Sequence, residues 1–321
     1  MLDIVAMGEP LVQFNAVTKG PLRYVTYFEK HSTGSEANVC VAAARLGLRS
    51  GLVTKLGNDE FGHYVLNWLR GEGVDVSRIL LDDEHPTGVY FVQRSYPIPG
   101  VSDVAYYRHG SAASFISEND MDYDYIRNAR VFHTTGITLA ISESARLAAL
   151  RAMREAKKGG ALVSFDLNIR RKLWRDMGEA IKVMKEAMSN VDVVFMDEEE
   201  AMMMLGQREI SSMLKEAEKV FGISKVIIKR GIRGSIARWE NEVSEVDAFH
   251  VPVEDPIGAG DAYVGVFLSS MLKGMGLKES MLRASAAAAM VVMVRGDEEN
   301  LPSERDLSLF LGSVGHDVDI R

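Results

Sequence analysis

Asp255-Pro256-Ile257-Gly258-Ala259-Gly260-Asp261 sets three small residues and a carboxylate where a strand is expected to hand over to a helix. Ahead of it, Phe249 to Val253 reads as apolar and β-rich. Behind it, Val264, Phe267, Leu268, Met271 and Leu272 recur at helical spacing between Ala262 and Lys273. Gly258, Ala259 and Gly260 thus fall at a helix N-terminus, where the first N–H groups lack intrahelical acceptors and the dipole favours an anion. Asp261 could take a proton there, as phosphoryl transfer to a hydroxyl requires. Taken alone, the same residues read equally well as a plain helix start with an acid in its first turn. A dinucleotide fingerprint is excluded because Tyr263 stands where its third glycine belongs, and the chain has no Gly-Lys pair for a Walker loop.

Working outward, β-rich segments alternate with amphipathic helices, which predicts a parallel α/β sheet. The expected elements are strand Ile4–Met7, helix Glu36–Leu46, strand Ser50–Leu56, helix Glu60–Glu72, strand Val131–Thr134, helix Ser142–Lys157 and strand Ala161–Phe165. Helix Gly178–Met188, strands Val191–Met196 and Lys225–Lys229, and helices Gly258–Lys273, Lys278–Val294 and Ser303–Leu311 follow. Residues 11–32 and 87–110 interrupt this rhythm with extended, aromatic-rich chain. They are expected to form a small separate sheet that closes over a site as a lid, an edge extension or dimer contact being the alternative. The whole chain, residues 1–321, is read as one domain.

Composition narrows the partners. The chain has 321 residues, 47% hydrophobic and 26% charged, with net charge −8, and no basic block for nucleic acid. One cysteine, Cys40, suits a reducing compartment, and its Ala/Val surroundings predict packing. The N-terminus has no basic leader, and the longest apolar run, Ala284 to Val294, is short of the ~20 residues of a membrane span. A cytoplasmic protein is expected.

Several polar groups cluster at turns. Asp59 and Ser35 read as N-caps, Asn38 is polar on an apolar helix face, and Gly34 permits close approach. Asp166-Leu167-Asn168-Ile169-Arg170 follows a strand, and in extended chain its polar residues share a face. Tyr90, Tyr106 and Arg108 lie in the small-sheet segments; tyrosine hydroxyls suit polyols and an arginine fork suits a carboxylate or phosphate. Lys229-Arg230-Gly231-Ile232-Arg233-Gly234 is a glycine turn that serves either a nucleotide or a hairpin into Ser235–Trp239. Arg295 and Gly296 read as a helix end, with Asp297 beyond. Asp197 to Glu200 open a helix, and no histidine spacing marks a protein metal site.

Taken in order, Gly34…Asn38…Gly47, Gly57-x-Asp59-x-x-Gly62, Asp166-x-Asn168-x-Arg170, Gly231-x-x-Gly234 and Gly258-Ala259-Gly260-Asp261 resemble the ribokinase-like (PfkB) carbohydrate kinases over nearly the whole chain. Tyr106-Tyr107-Arg108, Asn168-Ile169-Arg170 and Arg295-Gly296-Asp297 are similar to the archaeal 2-keto-3-deoxygluconate kinases of that family. The resemblance implies a ribokinase-like αβα doubly wound, mostly parallel sheet with a small β lid. It implies ATP as donor, Mg2+ held mainly through the nucleotide phosphates, a small sugar acid phosphorylated at C6 as partner, and a homo-oligomer. It makes Asp261 the base and the N–H groups of Gly258, Ala259 and Gly260 the anion hole. Gly34, Asn38, Tyr90, Tyr106, Arg108, Arg170 and Asp297 become acceptor contacts; Asn168, Lys229, Gly231, Gly234, Gly258 and Gly260 face the nucleotide. A fructokinase or ribokinase using the same machinery, and a non-catalytic sugar-acid binder, are the alternatives. Pro256 in place of the commoner threonine, Thr33 in place of glycine and Asp197 in place of asparagine depart from the family pattern.

Overall fold

The computed structural model describes residues 1–98 and 101–313. Residues 99–100 of the second small-sheet segment, and 314–321 of the expected domain, lie outside it. In chain order the strands are β1 (Leu2–Met7), β2 (Leu11–Ala16), β3 (Phe28–Thr33), β4 (Ser50–Gly57), β5 (Asp75–Asp82), β6 (Val89–Gln93), β7 (Asp103–Tyr107), β8 (Ala129–Thr135), β9 (Leu162–Asp166), β10 (Val193–Asp197), β11 (Lys225–Lys229), β12 (Ser235–Trp239) and β13 (Glu242–Val246).

Nine strands form the large sheet, in the order β13-β12-β11-β10-β9-β8-β1-β4-β5. It is parallel from β5 to β11, and β12 and β13 add an antiparallel hairpin at one edge. The central strands carry near-continuous apolar runs because helices cover both faces. Successive side chains alternate between the two layers. Val5, Met7, Phe132, Val163 and Phe165 pack toward helices Glu143–Lys158 and Met177–Met188. Ile4, Val131, Val193 and Phe195 pack toward helix Ala259–Leu272 and its neighbour Leu277–Val292. Beyond β1 the chain runs outward to β4 on one side, while β8 to β11 build the other. The order therefore reverses between β1 and β8, and the crevice at such a point is where open α/β sheets bind ligands.

The two segments that interrupt the sequence rhythm build the second, four-stranded sheet, β3-β2-β6-β7. Phe14, Phe91, Phe28 and Tyr107 contact one another across it.

Three local expectations are corrected. Phe249 to Val253 is not a strand: it runs as irregular chain, Pro252 lacks a ladder donor, and Glu254 N–H donates to Val292 O instead. The glycine-rich turn is therefore entered from a loop. The apolar helix stops at Val292, before Arg295 and Gly296, and Gly296 takes φ +112° in the turn beyond it. Strands β5 and β13 and helix Ile210–Phe221 were not anticipated; the two strands are half-exposed edges without clean alternation. No helix among the described residues is long and apolar enough to cross a membrane.

Candidate active site

The crevice between β1 and β8 is closed from beneath by one carboxylate. Glu36, in the first turn of helix Ser35–Arg45, accepts from Thr135 N at 3.1 Å, Thr135 Oγ1 at 2.7 Å and Thr138 Oγ1 at 2.6 Å. A Cβ on Gly8 would stand 2.1 Å from its Oε2, so β1 can end there only in glycine. Burial pushes the Glu36 carboxyl up to about 7 against those hydrogen bonds. This anchor fixes the start of the helix beside the glycine-rich turn.

There the residues of that turn meet it. Gly258 is the N-cap of helix Ala259–Leu272 with φ +81°, and a Cβ on it would lie 1.9 Å from Asp297 Oδ1. Glycine is required twice over, by backbone conformation and by the carboxylate. Asp261 in the first helical turn accepts from Ser35 Oγ at 2.6 Å and Asn38 Nδ2 at 2.9 Å. Asn38 Nδ2 also donates to Asp297 Oδ1 at 2.9 Å, so one amide bridges two carboxylates. Thr33 Oγ1 donates to the other oxygen of Asp297 and lies 3.3 Å from Tyr90 Oη, which accepts from Gln13 Nε2 at 2.8 Å. Burial first, and then the charge of Asp261, push the Asp297 carboxyl up to about 7.

A cation lies on the other side of the turn. Lys229 at the end of β11 donates to Asp166 Oδ2 at 2.5 Å, and its Nζ is 3.5 Å from where a Cβ on Gly260 would be. Burial opposes its charge, but Asp166 and Glu200 more than offset that and raise its pKa. Burial likewise lifts Asp166 while Lys229 pulls it down; at this distance the proton belongs to the lysine. Glu200 accepts from Ile169 N at 2.7 Å and Asp197 N at 2.8 Å, and burial with the neighbouring Asp166 charge raises it to about 7.

Not every expected residue converges as foreseen. Ser35 is no cap: Gly34 occupies that position, which frees the serine hydroxyl for Asp261. Gly34 has φ +143°, and its missing Cβ is filled by the backbone of Glu9 and Pro10 at 2.8 Å and 2.7 Å, so close backbone packing already demands glycine. Asp166, Asn168 and Arg170 do not share one face. The strand ends at Asp166, Asn168 turns left-handed at φ +38° to reach Ser35 Oγ at 3.0 Å, and Arg170 is exposed. Arg108 is buried and its Nε donates to Glu9 at 2.9 Å, with Ser111 Oγ on the same carboxylate at 2.6 Å. Tyr106 pairs with Tyr90 across β6 and β7, ring centroids 5.9 Å apart. Gly231 and Gly234 shape the turn between β11 and β12, where a Cβ on Gly234 would strike Val246 O at 2.0 Å. Glu36 was given no role by its sequence position, and Ser35, Thr33 and Asp166, though noted there, take partners at the site that spacing did not foresee.

An αβα sheet whose switch point carries a carboxylate held at a small-residue helix N-terminus, with a lysine beside it, suits phosphoryl transfer to a hydroxyl, and the family match makes the class an ATP-dependent sugar kinase. The chain belongs to the pfkB family of carbohydrate kinases, whose family model matches residues 1–304. It is 45% identical over 315 residues to the 2-dehydro-3-deoxygluconokinase of Thermoproteus tenax, covering 98% of this chain and 95% of that one. The 2-dehydro-3-deoxygluconokinase of Bacillus subtilis is 33% identical, with 97% and 96% covered. Among solved structures, a putative ribokinase II from E. coli in complex with ATP and Mg2+ superposes with TM-score 0.90 at 25% identity, covering 97% of this chain and 99% of that one. Membership in a kinase family argues against the non-catalytic alternative, and the likeness to two 2-dehydro-3-deoxygluconokinases disfavours a fructokinase.

Proposed function

We propose that this kinase transfers the γ-phosphoryl group of ATP to the C6 hydroxyl of 2-keto-3-deoxygluconate (2-dehydro-3-deoxygluconate), giving the 6-phosphate. We further propose that it accepts the C4 epimer, the galactonate form, and works in an Entner-Doudoroff-type pathway in the cytoplasm as a homo-oligomer. The carrying observation is the 45% identity over nearly full length to a kinase of that name, joined to a carboxylate, Asp261, held by two hydrogen bonds at the helix N-terminus.

In this reading Asp261 receives the proton of the C6 hydroxyl as the oxygen attacks phosphorus. The N–H groups of Gly258, Ala259 and Gly260 hold the charge spreading over the transferring phosphoryl, and Lys229 adds a fixed positive charge beside them. Asn168 and the turn from Lys229 to Gly234 face the nucleotide. Gly34, Asn38, Tyr90, Tyr106 and Asp297 meet the polyol; Arg170 and the remaining Nη1 of Arg108 meet the acceptor carboxylate. Strands β2, β3, β6 and β7 serve as the lid of one ribokinase-like domain and exclude water.

Among the described residues no three His, Cys, Asp or Glu side chains converge to hold a metal. Both Glu200 oxygens accept backbone N–H groups, whereas Asp166 Oδ1 is buried without a partner. That donor set fits magnesium carried by the nucleotide phosphates, with Asp166 as the protein oxygen nearest to hand. Such an ion supplies charge neutralisation for the phosphates.

A coupled assay with ATP against the keto acid, its C4 epimer, fructose and ribose tests the reading. Turnover is expected on the keto acids; strong activity on fructose or ribose with none on either keto acid refutes it.

A further inference from the structure

Asp261 has both carboxylate oxygens engaged before any substrate arrives. Oδ2 takes Asn38 Nδ2, and Oδ1 takes the hydroxyl of Ser35 at 2.6 Å, the shorter of the two bonds. Ser35 is nearly buried and sits in the first turn of a helix whose next residue, Glu36, is locked to Thr135 and Thr138. Its Oγ therefore has little freedom. The same Oγ accepts from Asn168 Nδ2 at 3.0 Å, so its single hydrogen is committed to the carboxylate. Asn168 reaches it by adopting φ +38°, a strained conformation for a residue with a side chain. Three elements thus converge on one hydroxyl: the loop after β9, the helix at Ser35 and the helix carrying Asp261.

We propose that Ser35 is the positioning residue of the base, aiming Asp261 at the acceptor hydroxyl and tying its orientation to Asn168 on the nucleotide side. With Oδ1 pinned by Ser35 and Oδ2 by Asn38, the carboxylate plane cannot swing. The incoming hydroxyl then meets a base of one orientation, and transfer of its proton needs no side-chain search. An alanine at this position leaves the helix, Asn38 and the small-residue turn in place and frees one rotation of the carboxylate.

This rests on Asp261 being the base, so the test is a double-mutant cycle, run with whichever acceptor the substrate panel shows to be turned over. Failure of the keto acid as substrate then refutes the proposed substrate and leaves the cycle in force. Ser35→Ala is expected to lower kcat about tenfold while both KM values stay within about twofold, since it removes one charged hydrogen bond that acts on the chemical step. Ser35→Thr, which restores the hydroxyl, recovers most of that loss. In an Asp261→Asn background, Ser35→Ala adds no further loss in kcat, because the group it orients is gone. A loss of the same factor in both backgrounds overturns the proposal. So does a rise in acceptor KM at unchanged kcat, which would make Ser35 a simple substrate contact. Thermal midpoints of all five proteins are compared, and a fall in kcat that tracks a fall in the midpoint and is not recovered by threonine also overturns it.

Discussion

Replacing Asp297 with asparagine separates the cost of burying a charge from the work the charge does. Burial and the Asp261 charge keep the Asp297 carboxyl protonated up to about pH 7 in the folded protein, whereas in the unfolded chain it titrates near the ordinary 3.8. Between those values the folded state binds a proton that the unfolded state has released. Stability contributed at low pH is therefore lost as pH rises through that window, by roughly 1.4 kcal/mol per unit. From about pH 5 to about pH 7 the wild type loses roughly 2 kcal/mol through this one group, the loss levelling off as the folded pKa is passed. Asparagine mimics the neutral acid. Its oxygen can take the Asn38 bond, and its amide can donate to Thr33 Oγ1, whose hydrogen turns to Tyr90 Oη 3.3 Å away. Other buried acids, Glu36 and Glu200 among them, titrate in both proteins and cancel in the difference. Urea unfolding of wild type and Asp297→Asn at several pH values checks this, with the slope m confirming that the same surface is exposed. The stability gap in favour of the variant is expected to widen by roughly 2 kcal/mol across that range. A gap that stays flat would show that Asp297 is ionised in the folded protein and that its buried charge is stabilised by other means.

Three further outcomes follow from contacts at the site. Asp261→Asn is expected to lower kcat by about 10²–10⁴ with little change in substrate affinity, and near-normal turnover in a steady-state assay would remove Asp261 as the base. Gly258→Ala forces a left-handed residue, costing roughly 1–2 kcal/mol, and drives a methyl into Asp297, so kcat should fall by about 10² or more. Gly274→Ala, at φ +82° with nothing within 4 Å, is the control: similar strain and unchanged kcat. Arg108→Ala leaves the Glu9 carboxylate buried with only Ser111, and denaturation should report a loss of about 3–5 kcal/mol. A negligible stability change with a raised acceptor KM would show instead that the arginine serves the ligand alone.

The parallel α/β body and the smaller sheet were legible because their signals are local. Apolar runs of strand length alternated with helical spacing, and the two aromatic-rich segments lacked any helical period. The helix start at Gly258 was legible too, since only a small residue permits its conformation. What escaped were features set by partners far away in the chain. Phe249 to Val253 has strand composition, yet it pairs with no strand among the described residues. Ser35 looks like an N-cap by type, but whether its hydroxyl serves its own helix or Asp261, 226 residues away, is decided by where that second helix starts. Arg108 carries the same ambiguity, resolved by Glu9 at the end of β1.

Sequence by itself therefore determined the class of fold, the family and the small-residue helix start at Gly258 to Asp261, because periodicity and glycine spacing act over a few residues. Tertiary structure alone decided the ionic arrangement: which carboxylate lies beside which amide, that Asn38 bridges Asp261 and Asp297, and that Lys229 is held by Asp166. The physical reason is that a buried charge takes its protonation and orientation from neighbours within a few ångströms, and folding brings those neighbours from opposite ends of the chain.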